Sequence, residues 1–156
     1  AFARYVLGWK KADTTENDPK TPYPVIHLMP AQKKYMEHRA YGGTMRLGSW
    51  EAQVKTGTRA YEIYQKHNAF IKGVDGLTSE RHRHRYEFND DYTNDFEKHG
   101  LVISARSVVE KLAEIIELPA SAHPFYLGTQ GHPEYKSRPL KPHPIFVEFL
   151  KTCSAV

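Results

Sequence analysis

Two side chains capable of acid–base chemistry, His132 and Glu134, stand on either side of Pro133. They follow a short apolar run, 125–127, that Gly128 closes, and such a run between breakers predicts a buried core strand. Proline fixes its own φ and disfavours helical geometry in the preceding residue, so we expect His132 on a stiff, extended backbone. A histidine oriented by an acid can take the proton of a thiol or hydroxyl, as in a nucleophilic triad. Because short motifs match freely, a histidine in a surface loop is the alternative.

A second unusual stretch, 81–85, alternates arginine with histidine. On a strand, the three arginines would share one face and His82 and His84 the other. Four interpretations are open. The histidines could hold zinc, although no cysteine or acidic pair stands at ligand spacing. The arginines could form a nucleic-acid stripe, a solvated basic edge strand, or a strand whose guanidinium forks bind a carboxylate or phosphate.

Composition limits the class of protein. The chain has 156 residues, 40% hydrophobic and 26% charged, which is ordinary for one soluble domain. No run approaches the roughly 18 apolar residues of a membrane span, and the N-terminus does not resemble a signal peptide, so we expect a cytoplasmic protein without membrane contact. The net charge of +4 is concentrated at 81–85, which argues against nucleic acid as a partner. The single cysteine, Cys153, excludes an internal disulfide, and we expect a packed or idle thiol there.

Periodicity and capping signals predict the elements around these motifs. One segment, 108–118, fits either an amphipathic helix or a strand from Ala113 to Leu118. The other predictions are the tail of a helix within residues 1–9 that Gly8 ends and that is expected to begin before Ala1, a strand at 25–28, a mobile loop or short helix at 32–39, a turn at 41–44, a strand over 45–54 with a glycine irregularity, a helix from Thr58 to about His67, a helix capped by Asn89 or Asp90 that ends at Gly100, and a final helix with proline in its first turn at Pro144.

Four motifs, read in order, carry a resemblance to a known family. They are Gly42-Gly43-Thr44-Met45-Arg46-Leu47-Gly48, Glu80-Arg81-His82-Arg83-His84-Arg85-Tyr86-Glu87, Glu114-Ile115-Ile116-Glu117-Leu118 and His132-Pro133-Glu134-Tyr135-Lys136-Ser137-Arg138-Pro139. Together they strongly resemble the class I glutamine amidotransferase domain of the CTP synthase family. The resemblance implies an α/β, flavodoxin-like fold with a mixed, mainly parallel central sheet, of which residues 1–156 form the C-terminal portion. It also favours the strand over the helix at 114–118.

In that family, the amidotransferase domain hydrolyses glutamine through a cysteinyl thioester. The ammonia passes to a synthase domain of the same polypeptide, where UTP activated by ATP becomes CTP. The resemblance therefore implies glutamine as substrate, no cofactor in this domain, ATP and Mg²⁺ in the intact enzyme, GTP as activator, and a homotetramer.

The resemblance also assigns site residues by position. His132 corresponds to the general base and Glu134 to the acid that orients it. Glu16 falls where the family binds the α-amino group of glutamine, Arg85 where it binds the α-carboxylate, and Tyr86 contributes its backbone. The chemistry agrees, because a zwitterionic amino acid needs one anion and one guanidinium fork at its head. No residue is assigned to a metal.

Two departures from the family pattern are visible. The nucleophile turn, Gly-x-Cys-x-Gly, is expected before Ala1, so we expect no thioester on the 156 residues alone. Gly131 stands where the family usually has an aromatic residue, and a glycine is expected to loosen the backbone beside His132. A non-catalytic remnant or regulatory module that keeps the glutamine site is the alternative function, and a basic RNA-binding domain is a third.

Overall fold

The computed structural model describes residues 1–28 and 46–155. In these described ranges, short strands alternate with four helices and two 3-10 turns. In chain order they are α1 (Phe2–Tyr5), β1 (Ala12–Thr14), β2 (Tyr23–Leu28), β3 (Arg46–Val54), α2 (Arg59–Lys66), β4 (Leu77–His84), β5 (Tyr86–Phe88), a 3-10 turn (Asp90–Tyr92), α3 (Thr93–Lys98), β6 (Val102–Ser107), β7 (Ala113–Glu117), β8 (Leu127–Thr129), a 3-10 turn (Pro133–Tyr135) and α4 (Pro144–Ser154).

The described strands form two sheets. One has the order β4-β3-β6-β7-β8, with every neighbouring pair antiparallel. The other has the order β1-β2-β5, in which β1 and β2 are parallel. The mainly parallel pairing expected from the sequence is thus wrong for these strands. The links 108–112 and 118–126 are shorter than the dozen or so residues of a parallel crossover, so they return the chain antiparallel.

A hydrophobic core lies between the five-stranded sheet and the helices α2 and α4. Its buried residues are Ala52, Val54, Ala60, Ile63, Tyr64, Ala105, Ile115 and Ile145. A second cluster joins α1, β1 and α3 around Ala3, Ala12, Phe96 and Leu101. There Trp9 stacks on Tyr23 with ring centroids 5.0 Å apart. Val25 and Phe88 of the three-stranded sheet and Ile116 of β7 pack against the second cluster, so it joins the two sheets.

The start of α2 is fixed by two kinds of cap. Thr58 Oγ1 accepts a hydrogen bond from Tyr61 N at 3.2 Å, which confirms the predicted capping residue. The two carboxylate oxygens of Glu117 accept from Arg59 N at 2.8 Å and Ala60 N at 2.9 Å. These bonds satisfy backbone donors that a helix leaves open and favour a negative charge at its positive end. Helix α2 is therefore attached to the end of β7.

Most of the other element predictions are confirmed, with two corrections. Segment 113–117 is a strand, so the helix alternative over 108–118 is wrong. The run at 125–127 is not a buried strand, because the residues that pair with β7 are Leu127–Thr129, at the half-buried edge of the sheet. Gly48 has φ of +88°, which confirms an irregular glycine in β3. Pro144 begins α4 as predicted, whereas Asn89 caps the 3-10 turn Asp90–Tyr92, and α3 begins only at Thr93. Segments 32–39 and 41–44 lie outside the described residues.

Within residues 1–28 and 46–155, no helix has the length and apolar character needed to cross a membrane.

Candidate functional site

His132 is held at the edge of β4 by its backbone. Its N–H donates to the carbonyl oxygen of Arg81 at 2.7 Å. Its φ of −106° and ψ of 85° lie outside the helical region, as the following proline predicts. Pro133 is buried and opens the 3-10 turn that contains Glu134. The imidazole and the carboxylate therefore project from one short, anchored segment.

The two side chains form a close pair. His132 Nδ1 lies 2.6 Å from Glu134 Oε1, and the side chains are 34% and 53% exposed. The hydrogen bond that His132 donates lowers the pKa of the Glu134 carboxyl, which is therefore ionised at neutral pH. Because an ionised carboxylate only accepts, the proton sits on Nδ1 and leaves Nε2 as a proton acceptor. The Tyr135 ring stacks on the imidazole with centroids 5.1 Å apart. This is the arrangement of a general base with an orienting acid.

Close packing against β4 explains why residue 131 is a glycine. It is buried, and a Cβ added there would lie 2.8 Å from Glu80 Cβ, closer than real Cβ contacts. Its N–H donates to Thr129 Oγ1 at 2.9 Å, and the next residue is bonded to β4. These bonds on both sides limit the backbone freedom that was expected at this position. A larger residue would push the His132 segment away from β4.

The proposed head-group residues lie at one end of the three-stranded sheet. Glu16 is exposed in the turn after β1, and Arg85 is half-buried between β4 and β5. Tyr86 begins β5 opposite Leu28 of β2. The strand pairing brings the three residues to the same end, but Arg85 is about 13 Å along the chain from Arg81, the residue beside His132. A common pocket within reach of His132 remains a prediction.

The inner face of β4 carries a buried ionic network. His82 Nε2 donates to Glu114 Oε2 at 2.7 Å, and Arg46 donates to the other oxygen of the same carboxylate. Burial raises the pKa of Glu114, but the hydrogen bond from His82 and the charge of Arg46 lower it below its usual value. His82 Nδ1 also lies 3.0 Å from the carbonyl oxygen of Glu80. Both ring nitrogens of His82 thus face acceptor oxygens.

The predicted division of faces is therefore confirmed for β4. His82 is buried on the inner side, while Arg81 and Arg83 are exposed. His84 is neutral, because burial and the neighbouring charge of His82 lower its pKa to about 4, and its Nδ1 donates to Tyr86 O at 3.1 Å. Among residues 1–28 and 46–155, no group of three or more His, Cys, Asp or Glu side chains is arranged to hold a metal ion.

Glu87, next to Tyr86, gives a prediction about stability. It is 2% exposed, and burial raises its pKa to about 7 despite the opposing charge of Arg46. A carboxyl group whose pKa is raised in the folded state stabilises that state at pH values below its unfolded pKa of about 4.5. This contribution is lost as the pH rises through 7. We expect Glu87→Gln to be more stable than the parent at pH 8, on the order of 1–3 kcal/mol, with little difference at pH 4. Urea unfolding at both pH values measures this. Glu97→Gln, at an exposed position of α3, is the control. An equal gain for Glu87→Gln at both pH values would contradict burial as the cause.

Cys153 lies far from the His132 segment. It is exposed near the end of α4, about 14 Å along the helix axis from Pro144 at 1.5 Å per residue. The other end of α4 is the one close to β4, because His143 bonds to Glu80 there. The prediction that this cysteine does not complete a triad with His132 agrees with that placement.

Comparisons with known proteins identify the class. A family model described as "Glutamine amidotransferase class-I" matches residues 32–152. The chain therefore belongs to the class I glutamine amidotransferase family, and the expected α/β amidotransferase fold is confirmed.

Several relatives that match nearly the whole chain are CTP synthases. The chain is 53% identical to the CTP synthase of Caldanaerobacter subterraneus subsp. tengcongensis over 150 residues, 96% of this chain and 25% of that protein. It is 51% identical to that of Aquifex aeolicus over 152 residues, 97% of this chain and 26% of that protein. The glutaminase domain of Trypanosoma brucei CTPS with bound acivicin superposes with a TM-score of 0.83 at 29% identity, covering 99% of this chain and 55% of that one. The chain thus spans about a quarter of the length of its curated relatives.

Proposed function

We propose that this chain is part of the glutamine-hydrolysing domain of a CTP synthase, with His132 as its general base and Glu134 as the acid that orients it. The observation that carries the proposal is the 2.6 Å hydrogen bond between Nδ1 and Oε1, which leaves Nε2 as an acceptor. About 50% identity to CTP synthases over nearly the whole chain supports the same function.

The chemistry follows from that tautomer. His132 Nε2 takes the proton of a cysteine thiol, and the sulfur attacks the side-chain amide carbon of glutamine. Glu134 stabilises the imidazolium, which returns its proton to the nitrogen as the C–N bond breaks and ammonia leaves. Water, activated by the same imidazole, then cleaves the thioester to glutamate and restores the thiol. In this proposal the nucleophile is not Cys153, which lies at the far end of α4.

Substrate binding is assigned to the other end of the β4–β5 segment. The Arg85 fork binds the α-carboxylate, Glu16 binds the α-amino group, and Tyr86 contributes backbone polar groups. A planar guanidinium matches a carboxylate with two parallel hydrogen bonds, and a carboxylate complements an ammonium. Binding the head group leaves the side-chain amide free to extend toward the nucleophile.

The remaining parts of the proposal concern the intact protein. The ammonia passes to a synthase domain on the same polypeptide, where UTP, ATP and Mg²⁺ give CTP, GTP activates, and the protein is a cytoplasmic homotetramer. The test uses the intact protein with glutamine, ATP, Mg²⁺ and UTP, and measures glutamate and CTP together. Formation of both in equal amounts supports the proposal. Saturable glutamine binding without glutamate would instead identify a non-catalytic remnant, and salt-sensitive RNA binding without either product a nucleic-acid-binding domain.

Cys153 provides a second prediction. We expect Cys153→Ser in the intact protein to keep the parent rate of glutamine hydrolysis, because the exposed thiol lies away from His132. An electrophilic glutamine analogue, followed by peptide mass spectrometry, should label another cysteine and leave Cys153 unmodified. Stoichiometric labelling of Cys153, with loss of activity in the serine variant, would overturn the assignment.

A further inference from the structure

Glu80 is a buried carboxylate that the reaction described above does not use. It lies on β4, next to Arg81, and is 6% exposed. Its Oε1 accepts hydrogen bonds from Tyr64 OH at 2.9 Å and His143 Nε2 at 3.0 Å. Burial raises the pKa of Glu80, but the hydrogen bond from His143 and the nearby charge of Lys136 lower it below its usual value. Glu80 is therefore an ionised group that binds α2 and the start of α4 to β4.

The segment that carries His132 and Glu134 passes over Glu80 and attaches beside it at both ends. At the first end, Gly131 packs against Glu80 Cβ, and His132 N bonds to the carbonyl of Arg81. In the middle, Lys136 Nζ donates to Ser79 O at 2.5 Å and lies 3.8 Å from Glu80 Oε1. At the second end, His143 Nε2 donates to Glu80 Oε1.

We propose that Glu80 is a positioning residue for glutamine hydrolysis, which helps to fix the place of His132 by holding the His143 end of segment 131–143 against β4, while the carbonyl of Arg81 holds the other end. This inference rests on the proposed function, in which His132 is the base. The physical reason is the steep dependence of catalysis on geometry: a mutation far from the reacting atoms that misplaces a catalytic group by about 1 Å can lower the rate by about 10²-fold.

His143 allows the inference to be tested, because its two ring nitrogens make different hydrogen bonds. Nδ1 accepts from Ile145 N at 3.3 Å and so caps α4. A nitrogen that accepts carries no proton, so the proton is on Nε2, which donates to Glu80. Asparagine is a good capping residue, and its short side chain does not extend to Glu80. His143→Asn therefore keeps the cap and removes the link.

The experiment compares His143→Asn and Glu80→Gln with the parent in the intact protein. We expect His143→Asn to lower kcat for glutamine hydrolysis by roughly 10- to 100-fold with KM little changed, because the base is displaced and the head-group site is not. Glu80→Gln keeps one oxygen acceptor and should lose less. In both variants, the pH profile of kcat should change shape, since the displaced His132 imidazole lies in different surroundings from those of the parent. CTP formation from added ammonia should stay at the parent rate.

Glu148→Gln is the matched control. Glu148 also attaches α4 to α2, through Lys66 at 2.8 Å and His67 at 2.8 Å, but lies away from segment 131–143. We expect this variant to lose stability without losing kcat. Parent kcat and pH profile in folded His143→Asn and Glu80→Gln would overturn the inference, as would equal loss of glutamine- and ammonia-driven synthesis. Failure of the proposed function is distinguishable, because the parent itself would then hydrolyse no glutamine.

Discussion

Replacement of His132 by alanine in the intact protein is expected to lower the rate of glutamine hydrolysis by roughly 10²–10⁴-fold, the usual contribution of a positioned general base. The variant keeps Gly131 and Pro133, so the backbone bond to Arg81 and the 3-10 turn should form as in the parent. His132 is one-third exposed, and its removal should cost little stability. Steady-state release of glutamate, with thermal unfolding as the folding check, measures the effect.

Glu134→Gln tests the orienting acid in the same assay. The amide oxygen still accepts from Nδ1, but it no longer carries the charge that stabilises the imidazolium. We expect a smaller loss of kcat than for His132→Ala. A loss as large as that of the alanine variant, or none, would contradict the role of orienting acid.

Arg85→Lys is expected to raise KM for glutamine by roughly tenfold or more, because lysine keeps the charge but loses the two-pronged hydrogen bond to the α-carboxylate. The maximal rate should change less, since His132 and Glu134 are untouched. Initial rates over a range of glutamine concentrations measure both constants.

Arg81→Lys is the matched control on the same strand. Arg81 is exposed, and its contribution to the His132 segment is a backbone carbonyl, which the substitution keeps. Its KM should stay near that of the parent. If Arg81→Lys raised KM and Arg85→Lys did not, the head-group site would belong beside Arg81, on the outer face of β4.

Local signals in the sequence were sufficient to predict several elements. Thr58 and Pro144 mark the starts of α2 and α4 because a cap or a proline acts on the backbone within one turn. The alternation at 81–85 predicted the faces of β4 because side chains alternate on any strand. The His132–Glu134 contact was predictable because only two positions separate the residues.

The features that the sequence did not predict depend on contacts between residues that are far apart along the chain. Arg46 and Glu114 are 68 residues apart, and Glu117 caps a helix that starts 58 residues earlier. No local pattern marks these carboxylates as buried partners. Strand direction was missed because it depends on which strands become neighbours, and the edge strand was misplaced by two residues because pairing with β7, not hydrophobicity, sets its limits.

In the proposed function, His132 is needed for the release of ammonia from glutamine and not for the amination of UTP that follows. The most direct measurement is CTP formation by one preparation of intact His132→Ala protein, assayed in parallel with glutamine and with ammonium as the nitrogen source. We expect a rate near that of the parent with ammonium and a rate near background with glutamine, since only the first half-reaction needs this base. Equal loss with both nitrogen sources, or parent activity with glutamine, would contradict it.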